Sequence, residues 1–301
     1  KGLSVIHPVV GKDGDYLTDR LTDEAVDYIA ANKGDPFLLV MAHYSVHTPI
    51  QAPEPVTNKY QRKLRKAGIP SGGKKQDADM VVDRQGVTKT VQNNPTYAAM
   101  VEKTDDSLGR IIKAIKDAGI EEETVVIMTS DHGGLSTRGI RNGRQLATSN
   151  SPLRQGKGSI FEGGTRVPLI VKWPAEVEAG SVSSVQVTGT DHYPTMLDVA
   201  RASARPTQHV DGRSYIRALR GVPYLRDPMF WDTSQARPDS TGDTRARSLI
   251  EGDYKMVECI DEDLIEWFAL SKDLGEQENL AETMPQRAAR MLESLHAMDD
   301  S

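Results

Sequence analysis

The order of amphipathic and wholly apolar segments most constrains how this chain can fold. Residues 18–32 carry apolar side chains at helical spacing, and the short apolar run Pro36–Ala42 follows them. The same order recurs in residues 95–118, which precede the run Thr124–Thr129, and a third run covers Pro168–Trp173. Runs of this length are typical of strands buried on both faces. The alternation therefore predicts an α/β domain with a mainly parallel sheet sandwiched by helices.

The pattern changes near residue 227. Leu249–Val257 and Leu264–Leu270 are predicted to be short antiparallel strands, and Pro285 begins a final amphipathic helix. We therefore expect two parts. Residues 1–226 would form the major part of the α/β domain, and residues 227–301 a small C-terminal α+β subdomain.

Charge and cysteine content exclude several classes of protein. The 301 residues include 37 Lys and Arg against 43 Asp and Glu, and the net charge of −6 disfavours a protein that binds nucleic acid. No apolar run approaches the roughly 18 residues that a membrane-spanning helix needs. Cys259 is the single cysteine, so an intramolecular disulfide framework and a thiolate metal cluster are excluded.

The segment Gln61–Gln92 interrupts the alternation and begins with a basic run. Six Lys and Arg residues occur before Gln76, with no acidic residue among them. We interpret the segment either as a solvated insertion or as an electropositive lip over a cleft that accepts an anionic substrate.

The string Ser130–Gly134 follows the second apolar run directly and contains Asp131 and His132. In open α/β sheets, ligands bind outside the carboxyl ends of the strands, which is where this pair is expected. A carboxylate next to an imidazole, followed by two glycines that let the backbone turn away, indicates half of a metal site. An Asp at the end of a strand also caps turns, so a structural role for Asp131 is the alternative.

A denser string, Gly156–Pro168, surrounds Lys157 with glycines that let its side chain approach a ligand. It is not a phosphate-binding P-loop, because Ser151 stands where the first Gly is needed and Gly158 follows the Lys where Ser or Thr is needed. A lone Lys in a glycine-rich loop is usually a surface residue, whereas the whole string favours a ligand-binding role.

His43 and His47 follow the first apolar run, at the predicted carboxyl end of its strand. Two His residues four apart would suit a metal on a helix, but Pro49 and the preceding strand argue against a helix here. Each His taken alone fits a packed or capping role. Their predicted position in the same layer as Asp131 favours a role in a site.

Together these strings resemble the sulfatase family, within the alkaline-phosphatase-like superfamily. The most specific part is Glu162–Pro168, and the resemblance extends over nearly the whole chain. The matching strings are Pro36–Pro53, Thr129–Gly134, Gly156–Pro168, Thr190–Asp198, Gly252–Lys255 and Gly275–Leu280.

The resemblance implies an alkaline-phosphatase-like fold and a sulfuric ester hydrolase, in which a hydrated formylglycine attacks the sulfate and a divalent cation, usually Ca²⁺, orients both. By motif, Asp131 and His132 would be metal ligands, although many relatives have Asn in place of His132. Lys157 would hold a sulfate oxygen and the leaving-group oxygen. His47 would be the general acid or a hydrogen-bond donor to the sulfate. His47 and Lys157 are thus the expected catalytic and substrate-binding residues.

The family makes its formylglycine from a Cys/Ser-x-Pro-x-Arg motif, and this chain contains no such motif. The family's N-terminal Asp-Asp metal pair and its Gly-Lys-Trp-His string are also absent. We therefore interpret the sequence as the C-terminal majority of a sulfatase that needs a missing N-terminal segment as its structural partner. The chain alone is expected to be inactive.

The expected substrate is a small-molecule or carbohydrate sulfate ester, and the basic segment favours a polyanionic carbohydrate. The family resemblance implies a periplasmic or secreted protein. Two alternatives stay open. One is a metal-dependent phosphodiesterase or phosphatase of the same superfamily, since Ser-Asp-His-Gly also occurs in two-zinc phosphodiesterases. The other is a non-catalytic, carbohydrate-binding relative.

Overall fold

The computed structural model describes residues 11–72 and 79–299. Within these ranges the chain forms two compact units. Residues 11–72 and 92–124 form the first unit, and residues 79–91 and 125–299 form the second. All of the described strands belong to the second unit.

Three helices build the first unit: α1 (Leu17–Asn32), α2 (Glu54–Ala67) and α3 (Pro95–Asp117). Both α1 and α2 pack against α3. The Asn94 side chain caps α3 by accepting a 3.0 Å hydrogen bond from the backbone N–H of Tyr97. Helices α1 and α3 confirm the two amphipathic helices that the apolar spacing predicts.

The apolar run Pro36–Ala42 is not a strand, contrary to the prediction. Its side chains alternate between exposed and half-buried, and those of Leu38 and Val40 are 68% and 72% exposed. An apolar run indicates that a segment prefers burial, but a strand also needs a neighbouring backbone to complete its hydrogen bonds. Within the described residues, this run has no such neighbour.

The other two apolar runs do form strands, and they pair with each other. Strand β3 (Val126–Thr129) lies antiparallel to β5 (Leu169–Lys172), with Val126 opposite Lys172. A second sheet has the antiparallel order β1 (Met80–Asp83), β2 (Gly86–Lys89), β4 (Thr137–Gly139). The ladders of the described residues are thus antiparallel, whereas the sequence predicts mainly parallel pairing. Apolar runs specify burial and leave strand direction open.

The C-terminal part contains a four-stranded antiparallel sheet and a closing helix. The elements are β6 (Met229–Asp232), β7 (Ala246–Glu251), β8 (Tyr254–Cys259), β9 (Leu264–Ala269) and α8 (Pro285–Asp299). The sequence predicts antiparallel strands and the helix, but it does not predict β6. The prediction of one strand over Leu249–Val257 is wrong, because a turn with Gly252 at φ +57° splits it into β7 and β8. The division at residue 227 stays a prediction.

The four-stranded sheet has a buried core on each face. On one face it packs against Ile160 and Phe161, which lie three and four residues after Lys157. On the other face it packs against α8 through Leu249, Met256 and Trp267. The sheet therefore supports the glycine-rich string that carries Lys157.

Four short helices complete the second unit: α4 (Glu162–Thr165), α5 (His192–Val199), α6 (Ile216–Leu219) and α7 (Pro238–Thr241). Among the helices of the described ranges, none combines the length and the apolar composition that crossing a membrane requires.

The segment Gln61–Gln92, which interrupts the alternation of helical and apolar segments in the sequence, is only partly a solvated insertion. Its first residues belong to α2, whose residues are all exposed or half-buried. Its last part is the hairpin β1–β2, where Val87 and Lys89 are buried. Lys74 and Lys75 lie outside the described residues.

Candidate functional site

The turn Ser130–Gly134, hereafter the Asp131 turn, leaves the end of β3 as the sequence predicts. The Asp131 side chain is 80% exposed, and its Oδ1 accepts a 3.0 Å hydrogen bond from the backbone N–H of His132. Asp131 is therefore not a buried turn cap. Its carboxylate is open to a ligand.

The His132 ring faces two acceptors. Its Nδ1 lies 2.9 Å from the carbonyl oxygen of Gly133, and its Nε2 lies 3.1 Å from Oδ2 of Asp131. When the imidazole is neutral, Nδ1 must carry the proton in order to donate to Gly133, so Nε2 presents a lone pair. Two lone-pair atoms then face each other, which is favourable only with a proton or a cation between them.

This donor set fits one side of a divalent cation site. Two ligand atoms bound about 2.4 Å from one cation lie roughly 3 Å apart in a compact site, which matches the spacing of Asp131 Oδ2 and His132 Nε2. Across residues 11–72 and 79–299, no cluster of three or more His, Cys, Asp or Glu side chains has the arrangement of a metal site. The two residues are therefore a half-site.

Lys157 lies on the loop Gly156–Phe161, hereafter the Lys157 loop. Its side chain is half-buried, and no carboxylate of the described residues lies within ion-pairing distance of its ammonium group. The glycines around it allow close packing. A Cβ on Gly156 would lie 2.5 Å from the Gly134 carbonyl oxygen, and Gly158 adopts φ +91°, which favours glycine. Lys157 thus has a free positive charge on a closely packed loop.

Backbone hydrogen bonds join the Lys157 loop and α4 to the Asp131 turn. The N–H of Lys157 donates to the carbonyl oxygen of Gly134 at 3.0 Å. The N–H of Gly133 donates to the carbonyl oxygen of Gly164, in α4, at 2.9 Å. The backbones that carry Asp131 and Lys157 are therefore held together, and a site shared by their side chains stays a prediction.

Asn150 completes this junction, and sequence reasoning missed it. Its Nδ2 lies 2.9 Å from the carbonyl oxygens of both Gly134 and Gly163, and 3.2 Å from that of Gln155. One amide group therefore lies against the Asp131 turn, α4 and the residue that precedes the Lys157 loop. A single Asn in a loop ordinarily reads as a turn residue, so nothing in its local sequence distinguishes it.

His47 belongs to the first unit, whereas Asp131, His132 and Lys157 belong to the second. The Nδ1 of His47 lies 2.9 Å from the carbonyl oxygen of Thr48, and the residue is exposed. Among the described residues, no partner contacts its Nε2. His47 therefore presents a free ring nitrogen, and its convergence with Lys157 stays a prediction.

His43 takes the packed role that the sequence left open. Its Nε2 lies 3.0 Å from the hydroxyl of Ser107, which also accepts a 2.6 Å hydrogen bond from Thr22 in α1. Burial lowers the pKa of His43 below its usual value. The residue links the segment after the first apolar run to α1 and α3.

A second group that sequence reasoning missed anchors the start of the glycine-rich string. Arg154 donates to both carboxylate oxygens of Asp83, at 2.8 and 2.9 Å, and to Oε1 of Glu266 at 3.0 Å. Its guanidinium lies 3.9 Å from the centre of the Phe161 ring. Asp83 is at the tip of hairpin β1–β2, so a residue assigned to an insertion holds the site loop. The only local signal is a hairpin pattern, two β-prone runs around Asp83-Arg84-Gln85-Gly86.

Two family models match the chain. One, for Sulfatase, matches residues 4–202, and the other, for the C-terminal part of N-sulphoglucosamine sulphohydrolase, matches residues 156–299. Both matches include the Lys157 loop and α4.

Similar proteins include a sulfatase of Formosa agariphila, 32% identical over 90% of this chain and 47% of its own length. The steryl-sulfatase of Mus musculus is 32% identical over 71% of this chain and 29% of its own length. This chain therefore spans less than half the length of these two curated relatives.

The crystal structure of Ps i-CgsB superposes with a TM-score of 0.72 at 25% identity, covering 96% of this chain and 56% of that one. That protein has also been solved in complex with k-i-k-neocarrahexaose. The match confirms the predicted α/β, alkaline-phosphatase-like fold.

Proposed function

The chain belongs to the sulfatase family, and from this membership we propose that it carries the sulfate-binding residues and half of the metal site of a sulfuric ester hydrolase. The observation that carries the proposal is the junction between the Lys157 loop and the Asp131 turn. A free ammonium group and an open carboxylate–imidazole pair lie on two backbones that are hydrogen-bonded to each other.

Lys157 supplies a fixed positive charge. Cleavage of a sulfate ester places negative charge on the leaving oxygen, and a preorganised cation stabilises that charge more in the transition state than in the ground state. The Lys157 ammonium has no competing carboxylate among the described residues, so its charge is available to the sulfate and the leaving oxygen.

His47 protonates the leaving oxygen or donates a hydrogen bond to the sulfate. Because its Nδ1 faces the Thr48 carbonyl oxygen, the free Nε2 is the atom that would carry the transferred proton. General-acid catalysis then requires the imidazolium form, with hydrogen atoms on both ring nitrogens.

Asp131 and His132 would hold one hard divalent cation, and Ca²⁺ is the proposed ion because a carboxylate oxygen is among its preferred ligands. When bound, such a cation neutralises charge on the sulfate oxygens. The remaining ligands and the formylglycine nucleophile would come from a segment that carries the Cys/Ser-x-Pro-x-Arg motif, which this chain does not contain.

We propose a sulfated carbohydrate as the substrate class. The basic residues of α2 lie on one side of the helix, and Arg62, Lys63, Arg65 and Lys66 are exposed. Within the described ranges, these four have no ion-pair partner, so their charge is available to a polyanion. The steryl-sulfatase relative shows that small esters are the alternative in this family. A periplasmic or secreted location stays part of the proposal.

The test is sulfate release from an aryl sulfate and from a sulfated oligosaccharide by the protein together with the motif-bearing segment. Lys157→Ala should lower kcat by about 10²–10³-fold, as expected for loss of one preorganised charge. Lys116→Ala, which removes an exposed lysine of α3, is the matched control and should leave kcat unchanged.

Three outcomes would contradict the proposal. A change in KM alone for Lys157→Ala would make Lys157 a ground-state binding residue. Faster turnover of an aryl phosphate than of the aryl sulfate would favour the phosphoesterase alternative. Glycan binding without turnover by the complete protein would favour a non-catalytic relative.

A further inference from the structure

Three buried charged side chains, joined by one exposed arginine, lie under the start of α4. The ammonium group of Lys255, in β8, is 2.9 Å from Oε1 of Glu162 and 2.9 Å from Oε1 of Glu276. The three side chains are 0%, 3% and 0% exposed. Arg166 donates to the other oxygen of Glu162 at 2.5 Å, so two carboxylates face two cations. We call these four residues the Lys255 cluster.

The Lys255 cluster contacts the main chain at the start of α4. Oε2 of Glu276 accepts a 2.7 Å hydrogen bond from the backbone N–H of Glu162, the first residue of α4. That carboxylate satisfies an N–H group that a helix leaves without an internal partner. Glu276 itself adopts φ +54°, a conformation uncommon for a residue with a side chain. The main chain is thus held in a strained conformation where this carboxylate reaches α4.

Helix α4 in turn holds the Asp131 turn. The Gly164 carbonyl oxygen accepts from Gly133 at 2.9 Å, and the Gly163 carbonyl oxygen accepts from Asn150 at 2.9 Å. A Cβ placed on Gly133 would lie 1.8 Å from the Gly163 carbonyl oxygen, so the two backbones are in direct contact. A displacement of α4 would therefore be transmitted to the turn.

From these contacts we propose that Lys255 and Glu276 are positioning residues, which fix α4 and thereby place Asp131 and His132 on the turn and Lys157 on its loop. The link to Lys157 is the hydrogen bond from its N–H to Gly134, which belongs to the same turn. The inference rests on the proposed function for the roles of the three placed residues. Its structural part stands on the contacts alone.

The pKa values of the two carboxylates agree with this arrangement. Burial alone would raise the pKa of Glu162, but the charges of Lys255 and Arg166 hold it below its usual value. Burial raises the pKa of Glu276 above its usual value. The two shifts run in opposite directions because Glu162 faces both Lys255 and Arg166, whereas burial dominates at Glu276.

The first measurement is amide hydrogen exchange on the 301-residue chain. In Lys255→Met and in the milder Glu276→Gln, the amides of Gly133 and Lys157 should exchange at least tenfold faster relative to the amides of β7, which report overall stability. Lys255→Arg, which keeps the charge, should restore much of the protection.

The matched control is Met256→Ala. Met256 is the next residue of β8, is also fully buried, and packs on the α8 side of the sheet. The Met256→Ala substitution should destabilise the sheet. The amides of Gly133 and Lys157 should nevertheless not exchange faster relative to the amides of β7. Equal effects in Met256→Ala, or unchanged protection at these amides in folded Lys255→Met and Glu276→Gln, would overturn the proposal.

The second measurement is binding of inorganic sulfate by calorimetry. Sulfate affinity should fall at least fivefold in Lys255→Met and Glu276→Gln and stay unchanged in Met256→Ala. Unchanged affinity in the first two variants would contradict the inference. If the wild-type chain and Lys157→Ala bind sulfate equally, the proposed role of Lys157 fails, while the exchange experiment still decides whether Lys255 and Glu276 position the turn.

Discussion

At the scale of single residues, main-chain contacts decide which side-chain atoms are available for chemistry. His47 and His132 both direct Nδ1 towards a carbonyl oxygen at 2.9 Å. Both neutral rings therefore carry the proton on Nδ1 and present Nε2 to a ligand. Sequence motifs identify such histidines, but the choice of ring nitrogen comes from the local backbone.

Cys259 illustrates the opposite case, a reactive residue type made inert by its surroundings. It is 1% exposed, and burial raises the pKa of its thiol to about 12. At pH 8 only about one thiol in 10⁴ would be ionised, and the thiolate is the reactive form. We therefore expect a colourimetric thiol reagent to label the native chain much more slowly than the unfolded chain. Rapid labelling of native protein at pH 8 would contradict the burial of Cys259.

At the scale of elements, close backbone packing explains why glycines surround the site. Gly133, Gly163 and Gly164 each have a main-chain atom within 2.3 Å of where a Cβ would lie. A side chain on Gly133 would force the Asp131 turn away from α4. A side chain on Gly163 would force α4 away from Arg154 and Gln155, and one on Gly164 would force it away from the Lys157 loop. The composition of the string therefore reflects contact between backbones.

Gly133→Ala should destabilise the second unit by about 3 kcal/mol, because the added Cβ meets the Gly163 carbonyl oxygen at 1.8 Å. Chemical denaturation would measure the loss. The control is Gly109→Ala in α3, where no atom lies within 4 Å of the new Cβ. That substitution should stabilise the first unit by about 0.5–1 kcal/mol, since Ala is the better helix former. Similar losses in both variants would exclude the steric explanation.

At the scale of the whole molecule, charges distant in sequence hold the second unit together. Asp83 comes from the hairpin β1–β2, Arg154 from the residues just before the glycine-rich string, and Glu266 from β9. Burial alone would raise the pKa of Asp83, but Arg154 holds it below its usual value. A carboxyl group whose pKa is lower in the folded chain than in the unfolded chain stabilises the folded state at pH values above its pKa in the unfolded chain. That stabilisation is lost as the pH falls through the pKa of the group in the folded chain.

The free energy of unfolding of the second unit should therefore decrease between about pH 5 and pH 3. Asp83→Asn should cost about 2 kcal/mol at neutral pH and should show a shallower decrease over the same interval. Asp211→Asn, at an exposed position, is the control and should retain the wild-type slope. Equal slopes for the wild type and Asp83→Asn would show that the pair with Arg154 does not contribute to acid stability.

The 301-residue chain by itself should not turn over an aryl sulfate, because it lacks the nucleophile motif. Sulfate release from p-nitrocatechol sulfate measures this directly, with Lys157→Ala as the control for contaminating enzyme. Turnover that Lys157→Ala abolishes would show that the chain has another nucleophile. Turnover that this variant leaves unchanged would come from a contaminant.

The sequence by itself determined the family, helices α1, α3 and α8, and the candidate residues Asp131, His132, Lys157 and His47. These features depend on local chemistry. Apolar spacing sets a helix face, Asn94-Pro95 begins a helix, and glycine strings mark close backbone approach. A helix face or a single motif can be recognised in a window of about 20 residues, because the pattern that marks it lies within that window. The family is recognised from several such motifs along the chain.

Only the tertiary structure decided the direction of the strands and which residues support the site. It also decided that the apolar run Pro36–Ala42 is not a strand. Asn150 contacts Gly134, which is 16 residues away. Arg154 and Lys255 reach partners 112 and 93 residues away, and nothing near them in the chain marks those partners. The physical reason is that hydrogen bonds and ion pairs require proximity in space, whereas sequence patterns report only neighbours along the chain. Asp83 shows this most clearly, since a residue in an apparent insertion anchors the site loop.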